Sequence, residues 1–226
     1  IHFDVANHYF ENEKYSYAYK WFLKVDESNV PKQSLPKFYF NKGYTVFLKK
    51  KYKEAETLLK NVKNDPQYES DAHYYLGYIS YHFEDYEGAS DSFTRVSKVS
   101  QQEDLSYFKV EMNFKLGRFE KAIELGIKEL EKLDGEAFSQ ISKIVGESYF
   151  NLEKYPESLR HLKNYQGKND KWANIDYYQL GYAYYNAKNY SKAIENFNKI
   201  IGAKDRLSQN AYYYLAESYL NKDQKL

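Results

Sequence analysis

The sequence has no cysteine, one methionine, two tryptophans and four prolines. Without a thiol it can form no disulfide, no thiolate nucleophile and no thiolate metal site, and the redox state of its compartment leaves no mark on it. No run of about 18 apolar residues exists, which excludes a membrane-spanning helix, and no direct membrane insertion is expected. Charge of one sign is also missing in net: 33 Lys and Arg face 32 Asp and Glu, for a balance of +1. There is thus no global pull toward nucleic acid or an anionic membrane. The five histidines, His2, His8, His73, His82 and His161, include no pair spaced i, i+4 as a helical metal site requires. No phosphate-binding glycine loop and no nucleophile elbow is present, since Gly126, Gly146 and Gly181 stand singly. The expectation is a chain with no catalytic residue, no metal and no cofactor.

What is abundant is the aromatic ring, with 27 tyrosines and 14 phenylalanines. They crowd most in YYQLGYAYY, residues 177 to 185. On a helix Tyr177, Leu180, Gly181 and Tyr184 form one stripe, and Tyr178, Tyr182 and Tyr185 form a second about 100° round the axis. A helix apolar on two faces must touch neighbours on both, or bury one and offer the other to a ligand.

The same arrangement recurs along the chain. YYQLGYAYYNAKNYSKAIENFNKI (177 to 200) is echoed with identical spacing by HYYLGYISYHFEDYEGASDSFTRV (73 to 96). A small residue recurs at Ala6, Gly43, Gly77, Val110, Gly146, Gly181 and Ala216, 33 to 37 residues apart. A second small position recurs at Ala18, Ala55, Ala89, Ala122, Ser158 and Ala193. Three residues before each of these stands an aromatic: Tyr15, Tyr52, Tyr86, Phe119, Tyr155, Tyr190. Four residues after each stand Phe22, Leu59, Phe93, Gly126, Leu162 and Phe197, so only the fourth repeat departs, at Gly126. Two antiparallel helices approach closely only where one carries Gly or Ala, and a ring opposite fills the space beside that contact. Punctuation agrees: Pro31, Pro36, Pro66 and Lys168-Asn169-Asp170 fall between repeats, and Pro156 sits in a first helical turn, where proline is tolerated.

This pattern resembles the tetratricopeptide repeat, W-x2-L-G-x2-Y followed by A-x3-F in helix-turn-helix repeats of about 34 residues. The resemblance covers the whole chain, although the tryptophan place is filled by His2, Tyr39, His73, Ser106, Ser142, Tyr177 and Tyr212. It implies an all-α, right-handed solenoid with no dividing linker. Six complete helix pairs, at 1–35, 36–69, 70–102, 103–138, 139–173 and 174–208, would be followed by a seventh first helix at 209–226. The resemblance also implies a concave surface lined by first-helix residues one step off the core stripe, in three ladders. One is Phe3, Phe40, Tyr74, Tyr107, Lys143, Tyr178 and Tyr213. The next is Asn7, Tyr44, Tyr78, Glu111, Glu147, Tyr182 and Glu217, and the last Phe10, Phe47, Tyr81, Phe114, Phe150, Tyr185 and Leu220. The partner-binding residues expected from them are Phe40, Tyr44, Phe47, Tyr74, Tyr78, Tyr81, Tyr107, Phe114, Phe150, Tyr178, Tyr182, Tyr185 and Tyr213. Tyr177 and Tyr184 are expected in the core instead. A subtype of the family clamps a partner's C-terminal carboxylate. Asn7 and Asn41 match its asparagines, but Phe3, Asp71 and Tyr75 occupy its basic places, so that clamp is absent.

The function expected is a non-catalytic protein-interaction scaffold taking an apolar strand or helix of a partner polypeptide. The rival is a structural spacer or self-assembly element whose ladders only stiffen the array. Binding of single-stranded RNA is disfavoured by the near-zero net charge and by Lys or Glu, rather than Arg, beside the rings. Glu84, Asp85 and Glu87, like Lys49-Lys50-Lys51, read as solvated inter-helix turns, and the sequon Asn189-Tyr190-Ser191 is discounted because Tyr190 is a packing position. Ile1 is no initiator and NKDQKL stops inside the pattern. The expectation is therefore a fragment of a longer bacterial protein, with composition and family precedent tilting toward the cell envelope.

Overall fold

The computed structural model describes residues 1–97, 102–202 and 205–223. Thirteen α-helices occupy them: α1 (His2–Glu11), α2 (Tyr15–Phe22), α3 (Leu35–Leu48), α4 (Tyr52–Lys60), α5 (Glu69–His82), α6 (Tyr86–Thr94), α7 (Gln102–Lys115), α8 (Phe119–Leu130), α9 (Gly135–Asn151), α10 (Tyr155–Leu162), α11 (Asn174–Asn186), α12 (Tyr190–Phe197) and α13 (Arg206–Asp223). Two short 3₁₀ turns, Glu27–Asn29 and Lys32–Ser34, lead from α2 to α3. Among the described residues there is no strand, only an isolated bridge between Lys168 and Lys171 in the hairpin before α11. The all-helical class and the count of six pairs plus one further first helix follow the repeat spacing.

The chain forms two compact units, 1–105 and 106–226. The first holds α1 to α6; the second begins within α7 and runs through α13.

Each pair turns back through a residue in the left-handed region two places before its second helix. These residues are Glu13, Lys50, Glu84, Gly117, Glu153 and Lys188, with φ between 57° and 70°. Only the fourth is a glycine, so five pairs bear the cost that a Cβ brings to this conformation.

The small first-helix residues are explained by what faces them. A Cβ added to Gly77 would lie 2.7 Å from the Phe93 ring, and one added to Gly181 would lie 2.9 Å from the Phe197 ring. At Gly43 and Gly146 the obstacles are Leu59 and Leu162, at 3.0 and 2.7 Å. Glycine on the first helix and a large side chain on the second are one steric unit. The fourth pair inverts this rule: Val110 holds the small place and Gly126 the large one. The two still meet, with an added Cβ on Gly126 falling 3.5 Å from Val110 and only 2.3 Å from Val145 of α9. The exception seen in the sequence is therefore a volume exchange that also lets α8 lie close against α9.

Cores follow the pairs. Phe22 and Phe38 are fully buried between α2 and α3, Val46 and Leu59 lie under α5, and the last pairs close on Phe197, Ala183 and Tyr184.

Candidate functional site

In the first unit α1, α3 and α5 are neighbours, and in the second α9, α11 and α13 are. Their shared faces carry the ladder residues, and one ring motif repeats along them. The last ladder ring of each first helix meets the leading ring of its own second helix in all six pairs. Centroid distances are 5.3 Å for Phe10–Tyr15, 5.5 for Phe47–Tyr52, 6.2 for Tyr81–Tyr86, 5.8 for Phe114–Phe119, 5.7 for Phe150–Tyr155 and 5.9 for Tyr185–Tyr190. Where the next first helix supplies a middle-ladder tyrosine, that ring closes a triangle. Tyr44 lies 5.7 Å from Phe10 and 5.1 Å from Tyr15, Tyr78 lies 5.3 Å from Phe47, and Tyr182 lies 5.6 Å from both Phe150 and Tyr155. Tilted and edge-on geometry of this kind suits the ring quadrupole.

The phenols of Tyr15 and Tyr44, of Tyr52 and Tyr78, and of Tyr155 and Tyr182 are also close enough to act on each other's ionisation. Burial first, and then the neighbouring tyrosine, raises the phenol of Tyr15, Tyr52 and Tyr155, the last to about 12. Ionising such a phenol would place a charge in a poorly solvated site beside a second phenol.

Two tyrosines outside the ladders complete the face. Tyr75 stands two residues before Gly77 and packs on Tyr44 and Phe47 at 5.0 and 4.9 Å, and Tyr214 stands two before Ala216 and packs on Tyr182 and Tyr185 at 4.7 and 5.2 Å. Burial, followed by the neighbouring tyrosine, raises both phenols strongly. Sequence reasoning missed this role because the ladder was drawn one step from the core stripe. These rings lie two steps off and point back to the preceding pair.

Of the thirteen residues expected to bind a partner, Tyr74 is buried, 5% exposed, against Tyr75 and Phe93. Tyr213 is the most open, at 61%. Phe40, Tyr44, Phe47, Tyr78 and Tyr81 in the first unit are half-buried, as are Tyr107, Phe114, Phe150, Tyr178, Tyr182 and Tyr185 in the second. Tyr184 is buried as expected of a core ring, and Tyr177 is half-buried under Trp172, stacked at 5.2 Å. The two asparagines shared with the carboxylate clamp bond each other, Asn41 Nδ2 donating to Asn7 Oδ1 at 2.9 Å.

The ladders break in the second unit, where Lys143 and Glu147 take aromatic places. The Lys143 ammonium bonds Asp176, lies 3.9 Å from Glu147 and sits 4.5 Å over the Tyr165 ring. Asp176 also accepts from the Ala173 N–H at 2.7 Å, tying the start of α11 to α9. Burial raises the Glu147 carboxyl above its ordinary range. This group fastens α9 to α11. No cluster of metal-ligating side chains occurs among the described residues, and no helix there is long and apolar enough to cross a membrane.

Comparison with known proteins agrees with this architecture. A family model for the tetratricopeptide repeat matches residues 177–203. Among solved structures, YrrB, a tetratricopeptide-repeat protein with an unusual peptide-binding site, aligns over 85% of this chain and 97% of its own at 20% identity and a TM-score of 0.66. A mutant of MamA aligns over 75% and 97% at 16% identity and 0.61, and yeast Tom70 over 91% and 44% at 17% and 0.51. No curated protein matches. Residues 177–203 are a tetratricopeptide repeat, and the chain has the fold of tetratricopeptide-repeat proteins.

Proposed function

We propose that the chain is a non-catalytic scaffold that holds a partner polypeptide against the ring-lined faces of its first helices. The observation carrying this reading is the half-exposure of rings whose orientation is already set by their neighbours. Such rings present rigid apolar area and cost little side-chain entropy on binding. The shared fold with a protein that has a peptide-binding site supports the same reading.

The native chain has no cysteine, so a single introduced thiol can be labelled cleanly. Tyr213→Cys on α13 and Glu195→Cys on α12, each carrying a benzophenone, are to be irradiated in a lysate of the source organism. A heterologous polypeptide cross-linked through position 213 and absent at 195 is the expected outcome. Capture at 195 alone would refute the assignment of the face.

A second reading is a self-assembling spacer, favoured by the triangles that spend the rings on each other. It calls for adducts of two copies of the chain and a mass that rises with concentration in the absence of any partner.

A further inference from the structure

Within the first unit, we propose that a cleft between α3 and α5 receives an aromatic or large aliphatic side chain of the bound polypeptide, with an acidic residue beside that side chain paired to Lys50. This rests on the scaffold reading above and specifies the chemistry of its partner.

The cleft has a volume of about 300 Å³, with Tyr44, Phe47, Tyr52, Tyr75 and Tyr78 among its walls and Lys50 at its exposed edge. That is the low end of ligand-pocket sizes, suited to one or two side chains rather than a cofactor. Its walls are rings packed on rings, Tyr75 on Tyr44 at 5.0 Å and Tyr52 beside Tyr78 at 6.3 Å. What remains facing the space is mainly ring carbon, which favours an apolar occupant.

The charge at the edge has one sign. Of the three lysines in the turn, Lys49 bonds the Ser16 hydroxyl at 3.0 Å and Lys51 pairs with Glu54 at 3.6 Å. Both also lie over the Tyr19 ring, at 6.0 and 5.6 Å. The Lys50 ammonium has no ion pair or side-chain hydrogen bond among the described residues. Its left-handed backbone, φ 58°, holds it at the turn beside the cleft. Glu54, the nearby carboxylate of α4, is already committed to Lys51, and Asp71, which acts on Tyr75, does not line the cleft. An acidic neighbour of the buried side chain would meet the uncommitted cation, and a basic one would meet repulsion from three lysines.

The probes are three fluorescein-labelled nine-residue peptides, each with a central Phe in a Gly-Ser background flanked by two Asp, two Asn or two Lys. Binding is read by fluorescence anisotropy. The parent chain is expected to bind the Asp-flanked peptide about fivefold tighter than the Lys-flanked one at about 50 mM salt, with the gap closing near 500 mM. Lys50→Glu should abolish or invert the order. It should fold, because Glu13, Glu84 and Glu153 occupy the same left-handed place in other pairs. Replacing the central Phe by Gly should remove binding to the parent. Equal affinity for all three peptides, an unchanged order in Lys50→Glu, or no binding of any of them would each overturn the proposal. The cross-linking result at position 213 would stand regardless, since it reads the other unit.

Discussion

Tyr182 is the sharpest test of how the rings divide their labour. Its ring lies 4.7 Å from Tyr214, 5.6 Å from Phe150 and from Tyr155, 6.0 Å from Tyr178 and 6.4 Å from Tyr185. A wholly buried ring truncated to alanine costs about 3–5 kcal/mol, and half-exposure lowers that figure. The ring partners, of which Tyr155 and Tyr214 are edge-on, restore part of it, at about 0.5–1.5 kcal/mol for a good pair and less than additively for all of them. Tyr182→Ala should therefore cost about 2–3 kcal/mol, close to the cost of removing the buried ring of Tyr184. From the sequence alone a groove tyrosine is expected to be far cheaper than a core one. The structure moves that expectation, because Tyr182 joins α9, α10, α11 and α13. Tyr182→Phe isolates the hydroxyl, whose neighbours are the Tyr155 and Tyr214 phenols, and should cost no more than about 1 kcal/mol. The assay is urea unfolding followed by circular dichroism, with a double-mutant cycle against Tyr155→Phe. Spectrophotometric titration gives an independent readout: the Tyr155 phenol, near 12 in the parent, should fall part of the way toward 10 in Tyr182→Phe and keep the share due to burial. A Tyr182→Ala loss below about 0.5 kcal/mol, together with no coupling in the cycle, would show that the triangles are contacts without energetic weight.

Three further outcomes follow from the geometry. Gly126→Ala puts a methyl 2.3 Å from Val145 and should cost about 1–3 kcal/mol, part of it recovered by Val145→Ala; strictly additive losses would refute the volume exchange. Lys188→Gly relieves a left-handed residue with φ 57° and should gain about 0.5 kcal/mol after the entropy of glycine is subtracted, whereas Gly117→Ala should lose about 1 kcal/mol, both read from the denaturation midpoint. Burial, then Arg95, holds His73 below its ordinary 6.5, so the unfolded chain takes up the proton first and stability declines as pH falls from about 6.5 toward the folded value. His73→Phe should flatten that decline, with the residual slope due to His161, which burial also depresses. An unchanged pH profile of the midpoint would contradict the burial argument.

The helical class, the number of pairs and the crossing points were legible in the sequence because each depends on local periodicity and on one steric rule. A small residue must face a large one, and spacing alone reveals where. Of the ladders, the contact of Phe47 with Tyr78 lies one step from the core stripe as the spacing implies, whereas Tyr74 at the same offset is buried. Three things needed the tertiary structure. Val110 and Gly126 exchange sizes across two helices, and a pattern read one helix at a time records that as a violation. Tyr75 and Tyr214 act on the pair before their own, a direction that spacing within a repeat does not encode. The ring contacts of Tyr15 with Tyr44 and Tyr155 with Tyr182 join residues 29 and 27 positions apart, and so depend on how successive pairs stack. Local sequence determines which face of a helix is apolar. How much of a tyrosine on that face is left for a partner is decided only when the neighbouring helices have taken their share of its ring.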